Sequence, residues 1–501
     1  MMMSFKTSQT DPSVIFGYFQ EVKSLLSAVN VATLLTALAA CRLPPPGNIP
    51  TDRSHPLVSH PVFREILETM VSRHVRNLDG FGVASVASSL ARLGVGPQDQ
   101  VWDILSGVLL LGASRPLRLE PQSVAALVQA YSKTGLAPVG LFESLEKAAM
   151  TKLHLFTPLA LANLAAGFHK MGKGSPDLRR MLVMAATARL GEAELKDLPL
   201  IAMNFARASA SAGGVPSEQG TSESPAGENE ETKSGASAPT LDFGKLPPTD
   251  GRPPLSPLRD LFVKIEQQAL GRVAELDTAG IISLAWGFAR GDYRSEPLFR
   301  EVSEAIRGKI PGMRPQDLSN ICWAFAKVEV RAPEVMKRVK TEVVSRRTAF
   351  EPRHLSNIAW ASSKLDFRSE ALFSALSLEA KGKLDKFTPL GLVNLIAAFA
   401  KLKIYDGSLA RKVEGRSLEL IDKFNPSELA LLAWSFGEVT AQEHPGMATQ
   451  ADFNFDVLPL NRRGLFRKIA LHGSSLKPHF KPVHWETLTA ALASVRYPET
   501  L

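Results

Sequence analysis

Phe387-Thr388-Pro389-Leu390-Gly391-Leu392-Val393-Asn394-Leu395-Ile396-Ala397-Ala398-Phe399-Ala400-Lys401-Leu402 spells out one helix together with its start. Thr388 is an N-cap residue type, and Pro389 follows at the first helical position, where its missing N–H costs nothing. Phe387, just before the cap, can pack on Leu392 as a hydrophobic staple. Leu392, Leu395, Ile396 and Phe399 then recur at helical spacing, so they share one face.

The same phrase returns along the chain, at Phe156-Thr157-Pro158, Met313-Arg314-Pro315, Phe350-Glu351-Pro352 and Phe424-Asn425-Pro426. With the Phe399 position set to zero, its equivalents are Tyr131, Phe168, Phe205, Phe288, Phe325, Ser362, Phe399 and Phe436. Every interval is 37 residues except that from Phe205 to Phe288, which is 83, or 37 plus an insertion of 46. A Leu-Phe pair ten and eleven places after zero keeps the register, as in Leu141-Phe142, Leu298-Phe299 and Leu372-Phe373, and, once the insertion of 46 is added, in Leu261-Phe262. Looser copies have their zero at Ala40, Leu90 and Leu492, which makes eleven in all. A unit that packs only on its neighbours escapes the size limit of a single core. The predicted fold is therefore an all-α solenoid of about eleven helix-turn-helix repeats, with helix A of about 14 residues followed by a helix B such as 370–383.

The expected division is an N-terminal run of repeats over 1–208, an insertion over 209–256, a regular run over 257–440 and a degenerate repeat with a final helix over 441–501. The insertion is rich in Ser, Gly and Pro and carries Glu218, Glu223, Glu228, Glu230 and Glu231 against Lys233. Such a segment buries too little apolar area to offset its ordering entropy, so it is expected to be a disordered acidic loop within one repeat. Smaller insertions are expected at 44–60 and 441–456.

The composition is that of an ordinary soluble chain, 45% hydrophobic and 22% charged, and a net charge of +8 favours an acidic partner. No apolar run approaches the roughly 18 residues of a membrane span, and no membrane partner is expected. Cys41 and Cys322, the only cysteines, form neither a disulfide framework nor a metal cluster. Nucleotide-binding P-loops, nucleophile elbows and zinc-protease motifs are all absent. No catalytic residue, cofactor, metal or small-molecule substrate is expected. Asp317 and Glu428 sit at the third helical position of their copies and read as N-terminal capping charges.

Helical geometry turns the repeat into columns of residues. At about 100° per residue, the positions seven, four and three before zero, zero itself and three after it form the core face, whereas −5, −2 and +2 point the other way. Position +2 holds Arg42, Arg92, Lys133, Lys170, Arg207, Arg290, Lys327, Lys364 and Lys401, with exceptions at Glu438 and Ser494. Nine basic residues in eleven places far exceed the one or two that 58 Lys and Arg in 501 residues would supply. Complementarity to the helix dipole accounts for part of this enrichment. A ladder of one cation per repeat also suits a phosphate backbone. Position −5 holds Asn163, Asn320, Asn357 and Asn394, whose amides suit either base edges or bonds between neighbouring A helices. Position −2 holds Trp286, Trp323, Trp360 and Trp434, placed either to stack bases or to pack between repeats.

A 37-residue unit built around Leu318-Ser319-Asn320-Ile321-Cys322-Trp323-Ala324-Phe325-Ala326-Lys327 resembles the heptatricopeptide repeat, a relative of the octotricopeptide repeat and the FAST-kinase-like repeat region. The resemblance covers about residues 28–500 and is most specific between 276 and 439. It implies work on RNA in mitochondria or, alternatively, plastids, in transcript stabilisation, processing or ribosome assembly. Many such proteins end in a RAP domain, a nuclease-like α/β module. Here residues 450–501 read as another repeat, with helix A at 482–495. The resulting expectation is a non-enzymatic protein whose partner is single-stranded RNA. Its alternative is a protein–protein scaffold or a structural component of an organellar ribosome, held by ribosomal proteins.

Overall fold

The computed structural model describes residues 11–41, 56–110, 118–209, 257–444 and 455–498, and these residues contain helices and turns but no strand. Arg42 and all of the acidic insertion except Ser209 lie outside them. The chain divides into two compact units whose boundary falls inside α11.

Unit 1 contains α1 (Pro12–Val22), α2 (Ala28–Ala40), α3 (Pro61–Thr69), α4 (Gly80–Leu93), α5 (Gln100–Leu110), α6 (Pro121–Thr134), α7 (Leu141–Met150), α8 (Pro158–Lys170), α9 (Pro176–Arg189), α10 (Leu198–Ala208) and the first half of α11 (Pro257–Ala269). Unit 2 contains the rest of α11, then α12 (Thr278–Arg290), α13 (Glu296–Arg307), α14 (Pro315–Lys327), α15 (Pro333–Ser345), α16 (Pro352–Lys364), α17 (Glu370–Lys381), α18 (Pro389–Lys401), α19 (Gly407–Glu419), α20 (Pro426–Glu443), α21 (Leu460–Ser475) and α22 (Pro482–Ser494). The even-numbered helices are helix A of the repeat. In unit 1, α4 packs on α2 and α6, and α8 on α6 and α10. In unit 2, α14 packs on α12 and α16, α18 on α16 and α20, and α22 on α20, while α15, α17, α19 and α21 form the second layer. Each unit is thus an α-solenoid, two helices thick.

The helix starts follow the local sequence. Thr388 accepts from the Gly391 N–H at 3.1 Å and Thr157 from that of Ala160 at 3.3 Å. At α20 the cap is reciprocal: Asn425 Oδ1 accepts from the Glu428 N–H and Glu428 Oε2 from the Asn425 N–H, both at 3.0 Å. The stops are equally regular. Four places after zero the chain takes the left-handed conformation, at Gly94, Gly135 and Gly172 in unit 1 and at Asp292, Glu329, Asp366 and Lys403 in unit 2. In α20 the residue at this place is Thr440, which is β-branched and poorly suited to left-handed backbone. The helix accordingly runs on to Glu443, past the expected stop, and Thr440 Oγ1 bonds back to the Phe436 carbonyl at 2.7 Å.

Two contacts lock each repeat. The helix-B phenylalanine stands edge-on to the next helix-A aromatic, with ring centroids 5.7 Å apart for Phe142–Phe168, 5.3 Å for Phe299–Phe325 and 4.8 Å for Phe373–Phe399. Basic residues near the end of helix B donate to the carbonyl just before the helix-A cap, Arg346 to Met313 at 2.6 Å and Lys383 to Phe350 at 2.8 Å. That second column of cations is part of the scaffold.

Candidate nucleic-acid interface

Each +2 cation described ends its A helix or lies within two residues of its end: Lys170 closes α8, Arg290 α12, Lys327 α14, Lys364 α16 and Lys401 α18. All of them therefore complement a helix dipole, and that effect does not distinguish one from another. Their surroundings do. In unit 1, Arg92, Lys133 and Lys170 are exposed and have no ion-pair partner among the described residues. They do feel one another: burial first, and then the charges of Arg92 and Lys170, pull the Lys133 ammonium below its ordinary pKa. Three neighbouring repeats thus present uncompensated positive charge close together. Arg207, at the end of α10, is half-buried.

In unit 2 the cations are half-buried. Lys327 reaches back to Asp292 at 2.7 Å, and Lys364 reaches back to Glu329 at 3.2 Å. The acids are the left-handed residues that stop the preceding A helix, so each pair bridges two repeats. Lys401 lies in the fields of Asp366, Glu329 and Lys364, and its pKa falls to about 8, chiefly through burial and then through Lys364. The sequence reading missed this column of acids. Its signal was present as Gly94, Gly135, Gly172 and Ser209 against Asp292, Glu329, Asp366 and Lys403, all four places after zero.

Most of the asparagines at −5 are engaged in packing. Asn163 Oδ1 accepts from Asn204 Nδ2 at 2.7 Å, joining α8 to α10. Asn357 Nδ2 donates to Ser319 Oγ at 3.2 Å, joining α16 to α14. Asn320 is buried and its Oδ1 accepts from Gln316 at 2.7 Å. Asn394 differs: it is half-buried, and its amide has no hydrogen-bond partner among the described residues. The tryptophans divide similarly. Trp286 is buried, with its ring centroid 6.1 Å from that of Trp323, so this pair packs between repeats. Trp323, Trp360 and Trp434 are half-buried.

Between Trp360 and Trp434 the column is interrupted by Ala397. A slot opens there, lined by Trp360, Asn394, Ala397, Trp434, Lys364 and Lys401 among others. Beside it lies a polar cleft of about 200 Å³ lined by Glu329, Arg331, Lys364, Leu365, Asp366 and Lys401. The two cavities share Lys364 and Lys401 as their common wall. Of the seventeen residues singled out from the sequence, the structure gathers Lys364, Lys401, Asn394, Trp360 and Trp434 around this one place. It sets Arg92, Lys133 and Lys170 together in unit 1.

The described residues include no group of His, Cys, Asp and Glu side chains arranged to hold a metal ion, and no helix long and apolar enough to cross a membrane. Cys41 and Cys322 are buried thiols, and burial raises the Cys322 pKa to about 12, which leaves it unreactive.

A family model described as RNA-editing substrate-binding complex 6 protein matches residues 335–442. This segment, about a fifth of the chain, runs from α15 into α20 and contains Trp360, Asn394, Ala397 and Trp434, whereas Thr487 of α22, which also lines the slot, lies outside it. The chain is similar to that family over this stretch. No curated protein sequence matches the chain. Among solved structures, a homology model of the full-length AP-3 complex in an intermediate open conformation aligns over 97% of this chain and 82% of its own, at 10% identity and a TM-score of 0.29. At that score no argument is drawn from it.

Proposed function

We propose that this protein is a non-enzymatic solenoid that binds single-stranded RNA, working within an organellar, mitochondrial RNA-editing or RNA-processing assembly. The observation that carries the reading is the cluster of Arg92, Lys133 and Lys170, three exposed cations on adjacent repeats with no ion-pair partner among the described residues. A flexible phosphate backbone supplies the missing negative charge at a spacing of one cation per repeat, and phosphate contacts of this kind position a strand without reading its sequence. Two further findings support the reading: the similarity of residues 335–442 to an RNA-editing substrate-binding protein, and the resemblance of the 37-residue unit to heptatricopeptide repeats. Within this reading the mitochondrion is the address, and the other members of an RNA assembly are the protein partners.

The test is equilibrium binding of the full chain to single-stranded RNA and to duplex DNA over a range of salt. Preference for single-stranded RNA with a steep log–log salt slope is expected. A salt-independent or absent interaction would transfer the function to a protein scaffold. One observation favours such a role for unit 2: its Lys327 and Lys364 are already neutralised by Asp292 and Glu329.

A further inference from the structure

We propose that α16, α18 and α20 hold one nucleotide of the bound strand, its base between Trp360 and Trp434 over Ala397, its edge at Asn394 and its phosphate against Lys401 and Arg331, beside the Lys364–Glu329 ion pair. This deepens the RNA-binding reading and rests on it.

Three observations converge on the site. The tryptophan column runs Trp286, Trp323, Trp360, then Ala397, then Trp434, so the repeat that omits its ring is flanked on both sides by repeats that keep theirs. An indole is a flat bicyclic ring, and the group that replaces it most naturally is another flat ring offering π faces to Trp360 and Trp434. Stacking on aromatic side chains is how single-stranded nucleic acid is held without dependence on sequence. Second, the same helix carries Asn394, which has no hydrogen-bond partner among the described residues while Asn163, Asn320 and Asn357 are all bonded. An amide both donates and accepts, which suits a base edge. Third, the polar cleft of about 200 Å³ opens on the other side of Lys364 and Lys401, with Arg331 on its wall. Base slot and cationic cleft therefore adjoin, as base and phosphate do in one nucleotide.

The slot is narrow. Its free space of about 20 Å³ is little more than the ~10–15 Å³ a single water needs. Entry of a base therefore requires the half-buried Trp360 and Trp434 to turn outward, so their fluorescence reports occupancy. The cleft has a signature of its own. Lys401 is held near pKa 8 by burial and by Lys364, with Asp366 and Glu329 opposing. A phosphate placed beside Lys401 favours its protonated form, so binding takes up a proton and weakens as the pH rises through about 8.

The test uses the full chain and a single-stranded oligouridylate carrying 4-thiouridine for photocrosslinking. Ala397→Trp restores the column found in the neighbouring repeats and fills the slot. Expected are crosslinks at Trp360 or Trp434 in the native chain, their loss in A397W, and an affinity about tenfold weaker. Trp434→Leu, which opens one wall, is expected to give the same loss should A397W fail to fold. Lys401→Arg keeps the charge and is expected to abolish the weakening above pH 8. RNA binding that is unchanged in A397W and W434L, with crosslinks elsewhere, overturns the nucleotide site and leaves the RNA-binding reading standing. Failure of the native chain to bind the oligonucleotide at low salt overturns both.

Discussion

Unit 1 and unit 2 use the same repeat, the same helix ends and the same basic column, yet they treat the basic column oppositely. The difference lies in one residue per repeat, four places after the core aromatic. There unit 1 has Gly94, Gly135 and Gly172, residues at home in left-handed backbone, whereas unit 2 has Asp292, Glu329 and Asp366 in that same backbone region. A non-glycine residue there costs roughly 1–2 kcal/mol. In unit 2 the strained acids face the cation of the following repeat, and the ladder becomes a chain of cross-repeat ion pairs at Lys327–Asp292 and Lys364–Glu329. With Gly94 and Gly135 in that place, Lys133 and Lys170 have no ion-pair partner among the described residues and stay available for a ligand. A column of like residues is therefore not a column of like functions.

The largest effect should come from unit 1. The triple variant Arg92→Glu, Lys133→Glu, Lys170→Glu is expected to lower RNA affinity at low salt by at least about 100-fold. It should also flatten the log–log salt slope by about two, near 0.7 per phosphate for three contacts. Filter-binding titrations across salt measure both. An unchanged slope would break the assignment of phosphate contact to unit 1.

The next effect separates the units by pH. His354, buried at the start of α16, accepts from the Glu351 N–H at 3.1 Å, and its Nε2 lies 3.0 Å from Gln316 Oε1. Burial, then Arg353 and Lys383, depress its pKa from the ordinary imidazole value of 6.5 to about 4. The unfolded chain thus takes up this proton at a higher pH than the folded one. The stability from a neutral His354 is complete above about pH 6.5 and is lost progressively as the pH falls to about 4, amounting to about 3 kcal/mol. Residues at the corresponding position in unit 1, Gly82, Ser123, Ala160 and Asp197, carry no imidazole. Acid unfolding followed by hydrogen exchange should show α14–α16 opening first, and His354→Gln should reduce that acid sensitivity.

A smaller effect comes from moving the acids. Gly135→Asp with Gly94→Asp places carboxylates where unit 2 has them, within reach of Lys170 and Lys133. RNA affinity should fall about tenfold at low salt and recover toward the native value as salt screens the new pairs. Unchanged affinity with an intact fold would show that the acid column of unit 2 has no bearing on ligand access.

The smallest effect tests the unit-2 pairs as structural bonds. Lys327→Met is expected to cost no more than about 1 kcal/mol in thermal unfolding, because Asp292 remains largely exposed. Its effect on RNA affinity should be slight compared with that of Lys133→Met. The reverse result would make the ion-paired cations of unit 2 the main phosphate contacts and unseat the comparison.

Much of this was legible in the chain itself. The Thr388-Pro389 start, the 37-residue spacing of the core aromatics and the Leu-Phe pairs of helix B fix the helices and their order, because caps and amphipathic faces are local and hold wherever the repeat recurs. The extended α20 escaped that reading, since its stop depends on what Thr440 does in left-handed backbone. The columns at +2, −5 and −2 were also visible, but not their use. The residues that engage them lie a full repeat away in the chain, as Asp292 does from Lys327 and Asn204 from Asn163.

By itself, then, the sequence determined that this protein is a stack of helix pairs with a cation at the end of nearly every A helix. Its hydrophobic period and helix signals act over a few residues. Only the tertiary structure decided which cations are neutralised, which asparagine amide has no partner among the described residues, and where two tryptophans line one slot with an alanine between them. Those outcomes depend on the approach of one repeat to the next, which sets distances of a few ångströms between side chains 35 or more residues apart.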